Sequence, residues 1–266
     1  MKHLYEYLLE TLQIRFNKND LINLCNLSQS NLYNVSKTNL ELLNYKVYNC
    51  EQGENCSRYL YGEGDIPICL SAHLDSVFAS NPHKNVQVNG DIITCDSGLG
   101  GDDRVGVYMI FQIIKELRCN VLLLEDEECG HSGAVHFIAS PYRDQFIKNN
   151  RFCIDLDLSG SNILTFYETT NKEFQQDVQQ ILPHYEIRDP KQGASDLIEL
   201  TNGWEKEGRD GLKKYQGTNV ASFNIGVGYY NEHTTKEYVN FKEVVQAIND
   251  VKQVITNMPN KKYKAQ

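Results

Sequence analysis

Five short polar strings interrupt the apolar pattern of this chain, and their residue types suit cation binding. The apolar run Ile66–Ser71 leads into Ala72-His73-Leu74-Asp75. In an extended segment residues two apart share a face, so the His73 imidazole and the Asp75 carboxylate stand together, as a ligand and its orienting partner do. A solvated loop would place them the same way. Gly100-Gly101-Asp102-Asp103-Arg104 puts two carboxylates behind a flexible turn, where they cap a helix and complement its dipole or hold a cation. Asn120–Leu124 runs straight into Glu125-Asp126-Glu127-Glu128; four acids in a row form a solvated face or ask for a counter-ion. Phe152-Cys153-Ile154-Asp155-Leu156-Asp157-Leu158 carries two acids inside a run that should be buried, and buried carboxylates are costly unless paired or bound to metal. By the period of two, Asp155 and Asp157 face the same side. Last, Val220–Ile225 is followed by a glycine-loosened loop, Gly226 to Thr234, with the single histidine His233.

These strings fall beside the carboxyl ends of predicted strands, where ligands enter open α/β sheets. Barely alternating runs such as 66–71 read as strands buried on both faces, and others are expected at 45–48, 59–61, 120–124, 152–158, 163–167 and 220–225. Asn89-Gly90 between Val86-Gln87-Val88 and Ile92-Ile93-Thr94 is a hairpin signal. Helical spacing predicts helices over the first fifteen residues and near 103–117, 132–140, 173–182 and 241–258. Alternation of strands and helices predicts an α/β fold with a mixed, mostly parallel central sheet and helices on both faces. No repeat or linker divides residues 1–266, so a single domain is expected, with 1–40 a helical segment packed on it.

Composition narrows the function classes. Hydrophobic residues at 41% and charged residues at 23% are those of a globular chain. A net charge of −9 disfavours nucleic acid and anionic membranes as partners. No apolar run is long enough to span a bilayer, and the first residues lack the pattern of a secretory signal, so a cytoplasmic location is expected. The eight cysteines stand singly without a Cys-x-x-Cys pair, which predicts free thiols and no thiolate zinc site.

Taken in order, the five strings resemble the co-catalytic zinc exopeptidases of clan MH, which include peptidase T, carboxypeptidase G, the leucyl aminopeptidases and the tetrahedral aminopeptidases. The resemblance spans residues 66 to 238 and rests on Ser71-Ala72-His73-Leu74-Asp75-Ser76-Val77, Gly101-Asp102-Asp103-Arg104-Val105-Gly106, Glu125-Asp126-Glu127-Glu128-Cys129-Gly130, Ile154-Asp155-Leu156-Asp157 and Tyr230-Asn231-Glu232-His233-Thr234. It implies the phosphorylase/hydrolase-like α/β fold of those enzymes. It further implies that His73 binds one metal with Asp75 orienting its ring, and that Asp102 bridges two metals. Glu128 and His233 would hold the second metal, and Asp157 would complete the first, with Asp155 the alternative. Glu127 becomes the general base. Two zinc ions are implied, with cobalt or manganese as substitutes, since the ligands are imidazole and oxygen. Such a pair binds a shared hydroxide, polarises a carbonyl and stabilises the oxyanion while a carboxylate shuttles the proton.

Two features set the chain apart from these relatives. The interval between Asp157 and His233 must already supply strands and helices of the catalytic unit, so no inserted lid domain fits. Candidates for a substrate-carboxylate-binding arginine are Arg104, Arg188 and Arg209, none of them marked out by its context, and Gly193-Ala194-Ser195-Asp196 resembles a segment that borders the site in relatives. The implied activity is cleavage of an amide bond in a small peptide, foremost as an aminopeptidase. A deacylase or amidase acting on N-acyl amino acids is the alternative, and a non-catalytic binding protein the third reading. The presence of every ligand position and of Glu127 speaks against the last.

Overall fold

The computed structural model describes residues 17–50, 57–78, 85–190, 195–208 and 211–266, with the backbone alone for 206–208 and 211–213. Two helices, α1 (Lys18–Cys25) and α2 (Gln29–Leu42), precede strands β1 (Lys46–Asn49), β2 (Tyr59–Glu63) and β3 (Ile66–His73). The hairpin of β4 (Val86–Asn89) and β5 (Ile92–Cys95) leads to helix α3 (Gly101–Ile114), strand β6 (Cys119–Leu124) and helices α4 (Ser132–Ile138) and α5 (Arg143–Asn149). Next come β7 (Cys153–Leu158), β8 (Ile163–Thr165), α6 (Lys172–Ile181), β9 (Glu186–Ile187) and α7 (Leu197–Asn202). The chain continues with the hairpin of β10 (Gly203–Gly208) and β11 (Gly211–Gln216), then β12 (Ser222–Gly226), β13 (Tyr229–Tyr230), β14 (Tyr238–Asn240) and α8 (Phe241–Asn257).

The central sheet has eight strands in the order β1-β2-β6-β3-β7-β12-β8-β9. Its middle strands β6, β3, β7 and β12 are parallel, and β2 and β8 flank them antiparallel. This is the mixed, mostly parallel sheet that the alternation predicts. Both faces are apolar, which is why both are covered. Ile68, Leu70, Val121, Leu123, Ile154 and Leu156 pack on one side against α1, α2, α3, α6 and α8, through residues such as Leu21, Leu40, Val107, Val178 and Val251. Cys69, Leu122, Leu124 and Cys153 pack on the other side against Phe137 of α4, Phe146 of α5 and Leu200 of α7. Each such side chain contributes about 1.5–3 kcal/mol on burial. Cys69, Cys95, Cys119 and Cys153 are buried in strands, and no disulfide forms among the described residues. None of the described helices is long and apolar enough to cross a membrane.

The differences from expectation have local causes. Gly90, at φ +60°, makes the Asn89-Gly90 turn, but its hairpin leaves the central sheet and pairs through β5 with β14 in a second sheet, β13-β14-β5-β4. That pairing joins distant segments and leaves no trace in local pattern. Periodicity does not reveal α5, which buries only Phe146, or the six-residue α7. Helix α3 starts two residues before, and ends three residues before, the expected span. The strand expected from 163 to 167 ends at Thr165, and the one expected from 220 begins at Ser222, Val220 making an isolated bridge to Lys264. The helix expected over the first fifteen residues lies outside the described residues.

Helix α3 lies so close on β7 that a Cβ at Gly106 would strike the Leu156 carbonyl oxygen and the Asp103 carboxylate. Gly106→Ala is therefore expected to cost about 1–3 kcal/mol, as overpacking does. Denaturant unfolding measures it, and a variant as stable as the parent would contradict this packing.

Candidate metal centre

Strands β3 and β7 run parallel with Ser71 paired to Asp155. Side chains that alternate onto the same face meet in pairs across this register. Ser71 Oγ donates to Asp155 Oδ1 at 2.5 Å, and two residues further on His73 Nε2 lies 3.5 Å from Asp157 Oδ1. Asp155 also accepts from Ser195 Oγ at 2.7 Å, so both its oxygens are engaged by hydroxyls. Asp157 instead joins His73 and Asp102 in a group whose donor atoms all lie within 4.8 Å of one another. The spacing leaves Asp155 and Asp157 open, and the register separates them.

Asp102 sits at the start of α3, behind Gly100 at φ +71°. Glu237 fixes this turn by accepting the Gly100 and Asp102 amides at 2.6 and 3.0 Å. Asp103 points elsewhere, accepting the His73 amide at 3.1 Å and the Gly106 amide at 2.9 Å, and so ties α3 to β3. Asp102 reaches both histidines. Its Oδ1 is 2.9 Å from His73 Nε2, and its Oδ2 is 3.1 Å from His233 Nε2, which is itself 2.9 Å from Glu128 Oε2. Asp102, Glu128 and His233 form a second close group, and the two groups share Asp102.

Asp75 organises the other wall. Its Oδ1 lies 3.2 Å from His73 Nδ1, and its two oxygens accept the Glu127 and Glu128 amides, each at 3.1 Å. Arg104, buried, donates to the Asp75 carbonyl oxygen at 2.5 Å. It thus anchors this loop and, being buried, is not among the residues that line the cleft, whereas Arg188 is. Of the four acids 125–128, Glu125 turns away into a two-point pair with Arg58 at 2.5 and 2.8 Å, and Asp126 accepts from Gln29 at 3.1 Å. Glu127 lines the cleft with Asp102, Asp157, Tyr167, Arg188, Glu232 and His233. Arg209 and the Gly193-Ala194 part of the Ser-Asp segment lie outside the described residues.

Crowded carboxylates set the charge states. The hydrogen bond to Asp102 leads in pushing His233 up to about 9, with Glu128 adding to it. Burial opposes charge on His73, yet Asp157, Asp102 and Asp75 hold it well above the usual imidazole range. Burial likewise opposes ionisation of Asp102, but the two rings keep it below the ordinary carboxylate range. Burial and Asp102 push Glu128 up to about 7. Glu128 Oε1 is buried with no hydrogen-bond partner among the described residues. Nitrogen-and-oxygen donor groups of this kind, with such an orphaned oxygen in one of them, fit divalent metal of the zinc type.

Sequence reasoning missed several residues at this site. Tyr229 donates to Asp157 Oδ1 at 3.1 Å, and Asn224 brackets the Asp157 backbone, donating to its carbonyl at 2.9 Å and accepting its amide at 3.0 Å. His131 stands 3.3 Å from Glu127 Oε1 and 2.6 Å from Glu199 Oε2. Burial opposes charge on this ring, but Glu127 and Glu199 push it up to about 10. The only sequence signal for it is the four-residue step from Glu127.

No family model matches the chain, and no curated protein matches it. Solved structures share its fold. Aminopeptidase PepT from Bacillus cereus is 12% identical with a TM-score of 0.60, covering 90% of this chain and 97% of its own. A tripeptidase from Staphylococcus aureus is 13% identical with a TM-score of 0.59, covering 89% and 96%. A protein from Bacteroides vulgatus provisionally named a zinc-dependent exopeptidase is 17% identical with a TM-score of 0.51, covering 96% and 95%. At these identities the likeness is one of fold.

Because His233 holds its proton up to about 9, a divalent ion must displace it, and zinc affinity is expected to rise from about pH 6 to about pH 9. Titration calorimetry at about pH 7 in buffers of different ionisation enthalpy reads the released protons; equal heats in all buffers would contradict this. Asp75→Asn removes the carboxylate charge and replaces one of the two oxygens that meet His73 and the Glu127 and Glu128 amides by an NH2 group, and it is expected to weaken zinc binding about 10–100-fold, measured by competition with a chromophoric chelator.

Proposed function

We propose that this chain is a zinc-dependent exopeptidase that removes the N-terminal residue of short peptides. The observation that carries the reading is the meeting of the triads His73–Asp102–Asp157 and Asp102–Glu128–His233 at one carboxylate, with Glu127 beside them. The shared fold of the aminopeptidase and tripeptidase structures supports it. Two zinc ions held by these residues would polarise a peptide carbonyl and acidify a water. Glu127 takes the proton of the attacking water and returns it to the leaving amine. Asp75 keeps the His73 ring and the Glu127-Glu128 amides in place throughout. The cleft holds about 150 Å³, room for little more than one side chain. Its carboxylates, Glu232 among them, favour a positively charged α-amino group. Arg188, which also lines it, offers a partner for a carboxylate on the substrate. On this reading residues 1–266 are one catalytic domain, with α1 and α2 packed on it. The interval from Asp157 to His233 is spent on β8, α6, β9, α7, the β10–β11 hairpin, β12 and β13.

Metal-loaded protein is expected to cleave fluorogenic aminoacyl amides, and Glu127→Gln to lower kcat by about 10²–10⁴-fold with bound metal unchanged. Turnover of N-acyl amino acids alone would replace the aminopeptidase reading by a deacylase. Two bound equivalents of zinc with no turnover of either substrate class would overturn catalysis.

A further inference from the structure

Beside the metal centre, a half-buried chain of side chains runs from Glu127 through His131 to Glu199, and its last two members have no part in the chemistry described above. His131 lies just before the short helix α4, at φ +57°, a conformation that a residue other than glycine adopts at a cost of order 1 kcal/mol. This backbone coincides with a ring caught between two carboxylates. Nε2 stands 3.3 Å from Glu127 Oε1, and Nδ1 stands 2.6 Å from Glu199 Oε2. Nδ1 is hydrogen-bonded to Glu199, and Nε2 stands at ion-pair distance from Glu127. Glu199 comes from α7, which packs beside α4 on the same face of the sheet. The Glu127 carboxylate also lies within 4.8 Å of donor atoms of His73 and Glu128. Glu127 therefore spans the gap between the metal centre and His131.

We infer that His131, itself held by Glu199, is a positioning residue that fixes the Glu127 carboxylate by one oxygen and leaves the other to face the reacting water. This rests on the reading of Glu127 as the general base. A carboxylate on a two-carbon stem samples several rotamers, and misplacement of a base by about 1 Å is worth roughly 10²-fold in rate. Glu199 keeps the ring from turning away. It does so from a separate helix, so the base is braced against the body of the fold rather than against its own loop.

The test compares the metal-loaded parent with His131→Ala, Glu199→Gln, Glu127→Gln and the double variant His131→Ala/Glu127→Gln on one aminoacyl amide. His131→Ala is expected to lower kcat about 10–100-fold with KM within about two-fold and metal content unchanged, and added imidazole is expected to restore part of the rate. Glu199→Gln, a milder change that keeps the ring, is expected to lower kcat in the same direction by a smaller factor. In the Glu127→Gln background the loss of His131 is expected to cost nothing further, because the group it positions is gone. An unchanged kcat in both single variants, an equal loss in both backgrounds, or a loss that follows bound metal overturns the inference. A parent that cleaves peptides with His131 indifferent sinks the positioning role alone. A parent without peptidase turnover sinks the functional reading and this inference together.

Discussion

Asp102, Asp157, Glu127 and Glu128 crowd together beside His73 and His233, and the cost of ionising so many carboxyl groups in one place is the constraint around which the site is arranged. Two like charges about 4 Å apart near a protein surface repel by roughly 4 kcal/mol. The two imidazoles carry positive charge into the cluster, Glu128 is pushed toward neutrality, and Asp102 is kept ionised by both rings. A divalent pair would supply the same compensation more strongly. Each surrounding element has a stake in holding these groups together against that repulsion.

The holding is done by backbone amides and by carboxylates that take no direct part. Asp75 accepts two amides of the loop after β6, Asp103 accepts one from β3 and one from α3, and Glu237 accepts two from the turn before α3. Those at Asp75, whose carboxyl burial would push up but the His73 ring and the amides hold below the ordinary range, are charge-assisted and about twice as strong as neutral ones. They let loops reach positions that strands and helices alone would not give. Asp126, His131, Asn231 and His233 all have positive φ, and all lie in the two loops that deliver the acids and the last histidine. Such conformations gather where the fold over-determines a site.

The second sheet explains why the small β4–β5 hairpin belongs to this arrangement. It pairs with β14, and Glu237 lies directly before that strand, while β13 leads into the loop of His233. One small sheet thus braces the turn of Asp102 and the loop of the distant histidine together. The apolar faces of the central sheet provide the rigid frame, and the close groups of acids and histidines gather beside its strand ends, at a helix start and in loops, where packing is least demanding.

Much of this was legible in the residues. Period-two alternation placed His73 and the acids of 152–158 at strand ends, and glycines before Asp102 marked a turn into a helix. The sequence alone determined the α/β class, the set of polar strings and the net excess of acid, because these follow from local pattern and composition. Only the tertiary structure decided which partner each acid meets. Asp155 and Asp157 share a face, so alternation cannot rank them; the β3–β7 register gives Asp155 to Ser71 and Asp157 to His73. Nothing local tells Glu125 from Glu127, since the difference is Arg58, 67 positions away. Arg104 belongs to the Asp75 carbonyl, and His131 meets Glu199 across 68 positions. Periodicity reports the face a side chain turns to, whereas its partner on that face is set by contacts between segments remote in the chain.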